Sequence, residues 1–248
     1  MPVHACIDRV LPLELREEAQ RLAALENPAN QLSANATELA LEAAKKWKPG
    51  RELRVKFLEG HPTVRRRVED AAMEWTRHAN IGLTFVDSGD AEIRIAFAND
   101  GSWSGVGTDV LVTRFFKKSE PTMNFGWLTP ESTDDEVSGV VLHEFGHALG
   151  CIHEHQSPAG TIVWNKDAVY ADLSGPPNNW DRATIDFNMF EKYDRSRTQF
   201  SEYDPASIMH YAFPVTWTLS GGSTRKNTRL SKTDKTFIRK TYGAPKQG

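Results

Sequence analysis

The segment His143-Glu144-Phe145-Gly146-His147 places two imidazoles four positions apart, which on a helix is one turn and one face. Both ring nitrogens can then reach a single ion at about 2.0–2.1 Å. Glu144 projects to one side of that face, where it meets a metal-bound water rather than the metal. Gly150 follows and tolerates φ > 0, so the helix can end there and the chain can bring His153 round as a third ligand. Three protein ligands and an open position are the pattern of a catalytic zinc site, because a structural site is closed. An isolated His-x-x-x-His pair is more often surface chemistry. The glutamate, the glycine turn and a third histidine at fixed spacing argue against coincidence.

A helix must hold these residues, and the sequence marks both of its ends. Thr133-Asp134-Asp135-Glu136 has the form of a capping box, with carboxylates at the positive end of the helix dipole. The helix is expected to run through Val137, Val141, Phe145 and Ala148 to Gly150 as the C′ residue. Upstream, helical spacing covers Leu13 to Glu26, Thr37 to Trp47 and Thr63 to His78. Strand patterns cover Leu53 to Phe57, Leu83 to Val86 and Glu92 to Ala98, with Thr122 to Leu128 a weaker one. Downstream the chain is turn-rich, with helices expected near Asp181 to Tyr193 and from Ser231 to Tyr242, and a mobile surface loop over Ser220 to Thr228.

At 248 residues the chain forms one large domain or two small lobes around a cleft, with a core that does not need disulfides. The net charge of -3 is spread over interleaved acids and bases, which gives no reason to expect nucleic acid or a membrane as partner. The run Arg65-Arg66-Arg67 sits in a helical pattern with Glu69 and Asp70 and reads as a solvated face. Two cysteines, Cys6 and Cys151, exclude a disulfide scaffold while leaving a single bridge or two free thiols open. No stretch reaches membrane-spanning length. The N-terminus lacks a basic n-region and an apolar h-region, so the expected location is cytoplasmic, or exported by a leaderless or other route.

His143 to His153 matches the metzincin pattern His-Glu-x-x-His-x-x-Gly-x-x-His, and Glu154 together with Ser207-Ile208-Met209-His210-Tyr211 resembles the astacin branch. The similarity covers about Trp47 to Tyr242. It implies an α+β metzincin-type zincin: an upper lobe to about residue 150 with a mixed twisted sheet and two long helices, then an irregular lower lobe, 151–248. A helical N-terminal extension, residues 1–46, precedes the catalytic domain, 47–248. It further implies one zinc ion on His143, His147 and His153, with Glu144 as acid/base. Met209 would floor the metal, Tyr211 would be a fifth ligand that swings off to the oxyanion, and Glu154 would meet a matured N-terminus. The implied activity is endopeptide hydrolysis by a zinc-bound water. A polypeptide would lie in the cleft, pairing with an edge strand within Trp103 to Val112, and the enzyme would be a monomer. His155 and His210 lie outside the ligand spacing.

The sequence departs from that family in two respects. It cannot form the usual disulfide set, and Cys151 reads by default as a buried packing thiol. The extension lacks the family's aspartate plug, so Cys6 or Asp8 is the substitute expected to hold the zinc in a latent zymogen; a Cys6–Cys151 bridge and a free surface thiol are the competitors. Without a trimmed N-terminus, Glu154 would instead pair with a basic side chain or cap a turn. Arg225 and Arg229 are candidates for favouring acidic substrate side chains, and a solvated loop explains them equally well. Two other classes remain: a zinc-bearing effector without turnover, against which Glu144 argues, and a zinc hydrolase of non-peptide bonds.

Overall fold

Alternating burial along β1 (Glu52–Phe57), with Leu53 and Val55 inside, seeds a five-stranded sheet. Its other strands are β2 (Gly82–Phe85), β3 (Ile93–Ala96), β4 (Ser102–Ser104) and β5 (Met123–Phe125), in the order β2-β1-β3-β5-β4. The first three pairings are parallel and β4 runs antiparallel to β5 as the edge strand. The computed structural model describes residues 6–7, 9–31, 45–157, 160–192 and 203–246. Most of the helix expected over Thr37 to Trp47, and Asp8, lie outside the described residues.

Parallel strands need a crossover, and α2 (Pro62–Ala72) supplies the one between β1 and β2. Pro62 suits its first turn, the His61 ring accepts from the Thr63 N–H, and Val64, Val68 and Ala72 form one buried stripe. A short 3₁₀ turn, Trp75–Arg77, completes the stretch read as one helix. The edge strand expected within Trp103 to Val112 is the short β4, at the start of that range: after Ser104 the chain coils into a 3₁₀ turn over Gly107–Leu111. Gly107 has φ +50° there, and a Cβ would strike the Lys45 carbonyl at 1.9 Å.

Helix α3 (Asp134–Ala148) carries the metal motif, and both reciprocal bonds of its Thr133/Glu136 capping box form. From Val137 almost every residue is buried, so the helix runs through the core rather than over it. Its last carbonyls have no partners within the helix. The Trp47 indole N–H donates to Ala148 O at 2.8 Å and the Tyr242 hydroxyl to Leu149 O at 2.7 Å. Gly150 then turns with φ +86°. Two residues far apart in sequence therefore fix the helix end from which His147 and the turn to His153 depart.

The N-terminal extension packs onto the upper lobe. Its helix α1 (Arg16–Glu26) is preceded by a 3₁₀ turn, Leu13–Leu15, and Leu11 and Leu15 join the main core. Side-chain amides of Asn27 and Asn30 donate to the carbonyls of Trp47 and Lys46 at 3.1 and 2.7 Å.

A second, smaller core occupies the lower lobe, built on Val169, Leu173, Trp180, Met189 and Trp217. It contains α4 (Lys166–Leu173), for which no sequence pattern was read, and α5 (Arg182–Ile185). The helix expected over Asp181 to Tyr193 becomes α5 and a π-turn, Asp186–Phe190, its end lying outside the described residues. Gln156 Nε2 and His155 Nε2 donate to the carbonyls of Phe187 and Asn188, both at 2.8 Å. Side chains from the metal loop thus claim carbonyls of that turn.

Helix α6 (Lys232–Tyr242) closes the chain with a Ser231/Asp234 capping box. Asp234 also binds the segment 207–209, accepting from the Ser207 hydroxyl at 2.7 Å and the Ile208 N–H at 2.9 Å. Met209 rises from that turn against Gly146, where a Cβ would meet its sulfur at 2.3 Å. Asp234→Ala removes these bonds together with the cap, so it is expected to cost about 3 kcal/mol or more. Thermal unfolding of the variant measures this, and a midpoint equal to wild type would contradict the anchoring role.

Candidate metal centre

Helix α3 and the Gly150 turn bring the Nε2 atoms of His143, His147 and His153 into a triangle with edges of 3.1–3.2 Å. Nitrogens about 2.0–2.1 Å from a tetrahedral ion stand about 3.3 Å apart. The triangle therefore fits one zinc ion. Protonation agrees with this, because every Nδ1 faces an oxygen acceptor that leaves Nε2 with its lone pair. His143 Nδ1 donates to Ile208 O at 2.8 Å, His147 Nδ1 to Cys151 O at 3.0 Å, and His153 Nδ1 to Gln156 Oε1 at 3.3 Å. The Gln156 amide nitrogen is taken by Phe187 O, which turns its oxygen toward the histidine. These outer partners orient the rings and raise their basicity. Two are backbone carbonyls, which residue types do not announce. The third is Gln156, three positions after His153, a side chain not singled out in the sequence.

Of the two cysteines, Cys6 joins this group and Cys151 does not. The Cys6 sulfur and the three imidazoles have ligand atoms all within 4.8 Å of one another. The thiol also donates to Glu144 Oε2 at 3.3 Å. Cys151 is buried, and burial pushes its thiol well above the usual range. No disulfide joins them, which removes the bridge from the alternatives. Tyr211 is buried with its ring 4.3 Å from that of His153, and its hydroxyl donates to the Cys6 carbonyl. Arg9 lies 4.1 Å over the Trp103 ring, beside the edge strand.

The remaining motif residues play other parts. Glu154 accepts from the Asp204 N–H at 2.9 Å, and its own N–H donates to Met209 O. It caps a turn. Burial lifts its carboxyl to about 7, against the pull of the Asp204 N–H. Burial also lowers His210, to about 4; its Nδ1 donates to Tyr211 O, so Nε2 accepts from the Tyr203 hydroxyl at 2.6 Å. His155 packs 4.5 Å from the Tyr211 ring and donates to Asn188 O. Neither is in the ligand group among the described residues.

Beside Glu144 opens a cavity of about 580 Å³, walled chiefly by Val140, Ile208, Phe213 and Val215. Lys226 is the cation lining it; Arg225 and Arg229 do not line it. Burial depresses the Lys226 ammonium, partly offset by Glu136. Lys226 went unnoticed in the sequence because nothing local marks which residue of a loop turns inward.

The matrixin family model (Peptidase M10) matches residues 46–167. The structure of myroilysin is similar to the chain with a TM-score of 0.77 at 44% identity, over 81% of this chain and 97% of that one. Zinc metalloproteinase nas-15 of Caenorhabditis elegans is 33% identical over 125 residues, 44% of this chain and 19% of its own length. Nas-23 of the same worm is 25% identical over 152 residues, 60% of this chain and 24% of its own length. The chain thus spans about a quarter or less of these curated relatives. The mixed sheet with its two long helices is the metzincin arrangement that the motif implied. The chain belongs to the metzincin zinc metalloproteases, and zinc is its cofactor.

Proposed function

We propose that the chain is an astacin-like zinc endopeptidase, held latent by its own N-terminal segment, with Cys6 as the plug. The observation carrying this reading is the Cys6 thiol, seated against both the three imidazoles and Glu144. A thiolate is a strong zinc ligand. In that position it takes the corner a water would need and engages the carboxylate that would act as base. Asp8 lies outside the described residues, so the reading rests on Cys6.

Zinc held by the three imidazoles supplies Lewis acidity and makes a water nucleophilic near neutral pH. Once the plug leaves, Glu144 Oε2 is free to take a proton from the attacking water and deliver it to the departing amine. The Tyr211 hydroxyl, released from the Cys6 carbonyl, becomes available to donate to the developing oxyanion. Met209 packs against Gly146 of the ligand helix and keeps its rings in place. The substrate lies along β4, where Arg9 now covers Trp103, and a side chain beyond the scissile bond enters the cavity toward Lys226.

The carboxylate of Glu154, buried without a basic partner among the described residues, is suited to receive a cationic N-terminus after trimming. Of the extension, the stretch around Cys6 acts as plug, whereas Leu11 and Leu15 belong to the main core.

Cleavage of unfolded casein tests the reading. Cys6→Ala is expected to cleave at least about tenfold faster than untrimmed wild type, and Glu144→Gln in that background to lose about 10²–10⁴-fold. Equal rates for wild type and Cys6→Ala would end the latency proposal. Silence from Cys6→Ala and from trimmed wild type alike would end the peptidase proposal.

Removing the metal with a chelator should abolish cleavage and lower the melting temperature, since zinc binds the folded state preferentially; added zinc should restore both. A melting temperature indifferent to chelation would contradict the site. For selectivity, peptides differing by Glu or Gln just after the scissile bond should be separated by Cys6→Ala about fivefold in kcat/KM, in favour of Glu. Lys226→Met should remove that ratio, and an unchanged ratio would sink the assignment.

A further inference from the structure

The exposed face of α6 is basic and unpaired. Lys232, Lys235 and Arg239 fall at i, i+3 and i+7, within an arc of about 60°. With Arg77 and His78 from the end of the α2 segment, and the Thr236 hydroxyl, they line a concavity of about 460 Å³. Among the described residues no carboxylate lines it. The nearby acid, Glu74, is already bound to Arg77 at 2.7 Å and His78 at 2.9 Å. None of the three α6 cations has an ion-pair partner among the described residues, and the one acid on the helix, Asp234, points inward to Ser207 and Ile208. By contrast the run Arg65–Arg67 is largely occupied locally, Arg65 on Glu59 O and Arg67 on Asp134.

Glu74 offsets Arg77 and His78, but in a chain of net charge -3 the three α6 cations bear their mutual repulsion around one hollow unless an anion enters. The chemistry of that anion is narrowed by what is missing. Among the described residues the one aromatic ring lining the hollow is the His78 imidazole, already held by Glu74 at 2.9 Å, so bases have little to stack on. None of the large exposed apolar side chains, Leu13, Leu25, Leu58, Val163, Val215 and Leu219, lines it either, so nothing would enter a bilayer. A hydrophilic chain bearing closely spaced, permanently ionised groups meets both conditions. We propose that this concavity binds a sulfated polysaccharide. It shares no residue with the cavity beside Glu144, so binding there would hold the enzyme on an anionic matrix while the cleft stays free.

Heparin and desulfated heparin, added to the full chain at low and physiological salt, test this. Heparin is expected to bind, with affinity falling as salt rises, and desulfated heparin to bind far less. Lys235→Gln and Arg239→Gln should each weaken heparin binding about fivefold, while Lys235→Arg and Arg239→Lys keep it. Lys117→Gln with Lys118→Gln, which removes two exposed cations already paired to Glu120 and Asp90, should leave it unchanged. The proposal is overturned if heparin does not bind at low salt, or if the Gln and charge-conserving variants bind alike. It is equally overturned if desulfated heparin, phosphatidylserine vesicles or single-stranded DNA bind through these residues as tightly as heparin. Casein cleavage is not part of the readout, so this test stands or falls apart from the peptidase reading.

Discussion

Three neutral imidazole nitrogens that face one another at 3.1–3.2 Å repel through their lone pairs unless a cation sits between them. Everything else in the centre of the molecule follows from holding that arrangement. Each ring is pinned from behind by an oxygen, and those oxygens come from three places: the turn before Met209, the turn after Gly150, and Gln156. Each of those places is anchored in turn. Asp234 holds the first, the Trp47 and Tyr242 side chains hold the helix end before the second, and the π-turn carbonyls of the lower lobe hold the third. Pull on any of these and a ring rotates.

The small lower core therefore meets the rest through the ligand shell, while Ile208, Met209, Leu230, Ile238 and Tyr242 from beyond residue 150 join the main core. The upper core is large and encloses α3; the lower is a small cluster to which Cys6 and Tyr211 contribute. An irregular lower lobe is tolerable because its carbonyls find partners among the side chains of the metal loop. The same contacts that satisfy that backbone also tune the metal ligands.

Much of the upper lobe was legible in the sequence because its signals are local. The capping box at Thr133, the two-residue alternation of β1 and the buried stripe of α2 each lie within a dozen residues. So does the ligand spacing from His143 to His153. What escaped is non-local or belongs to the backbone. The carbonyls behind the histidines carry no residue-type signature. The edge strand ends early because Gly107 coils against the Lys45 carbonyl, a contact across more than sixty positions. The helix over 181–193 breaks where Gln156 and His155 claim its carbonyls, and α4, eight residues long, offers too few turns for a periodicity to stand out. In the cavity beside Glu144, Lys226 replaced the two arginines because loop residues have no period from which to read an inward face.

The amide clips of Asn27 and Asn30 give the extension a mechanical character of their own. They fasten α1 to the backbone at Lys46 and Trp47, while Leu11 and Leu15 sit in the upper core. A nick between Gln31 and Lys45 would turn the extension from a tether into a separate peptide without unseating it. The plug would stay at high effective concentration over the histidines, docked rather than linked. If Cys6 is the plug, as proposed above, cutting the chain and opening the enzyme would be separate events, the second waiting on a break between Cys6 and Leu11 or on withdrawal of the strap itself.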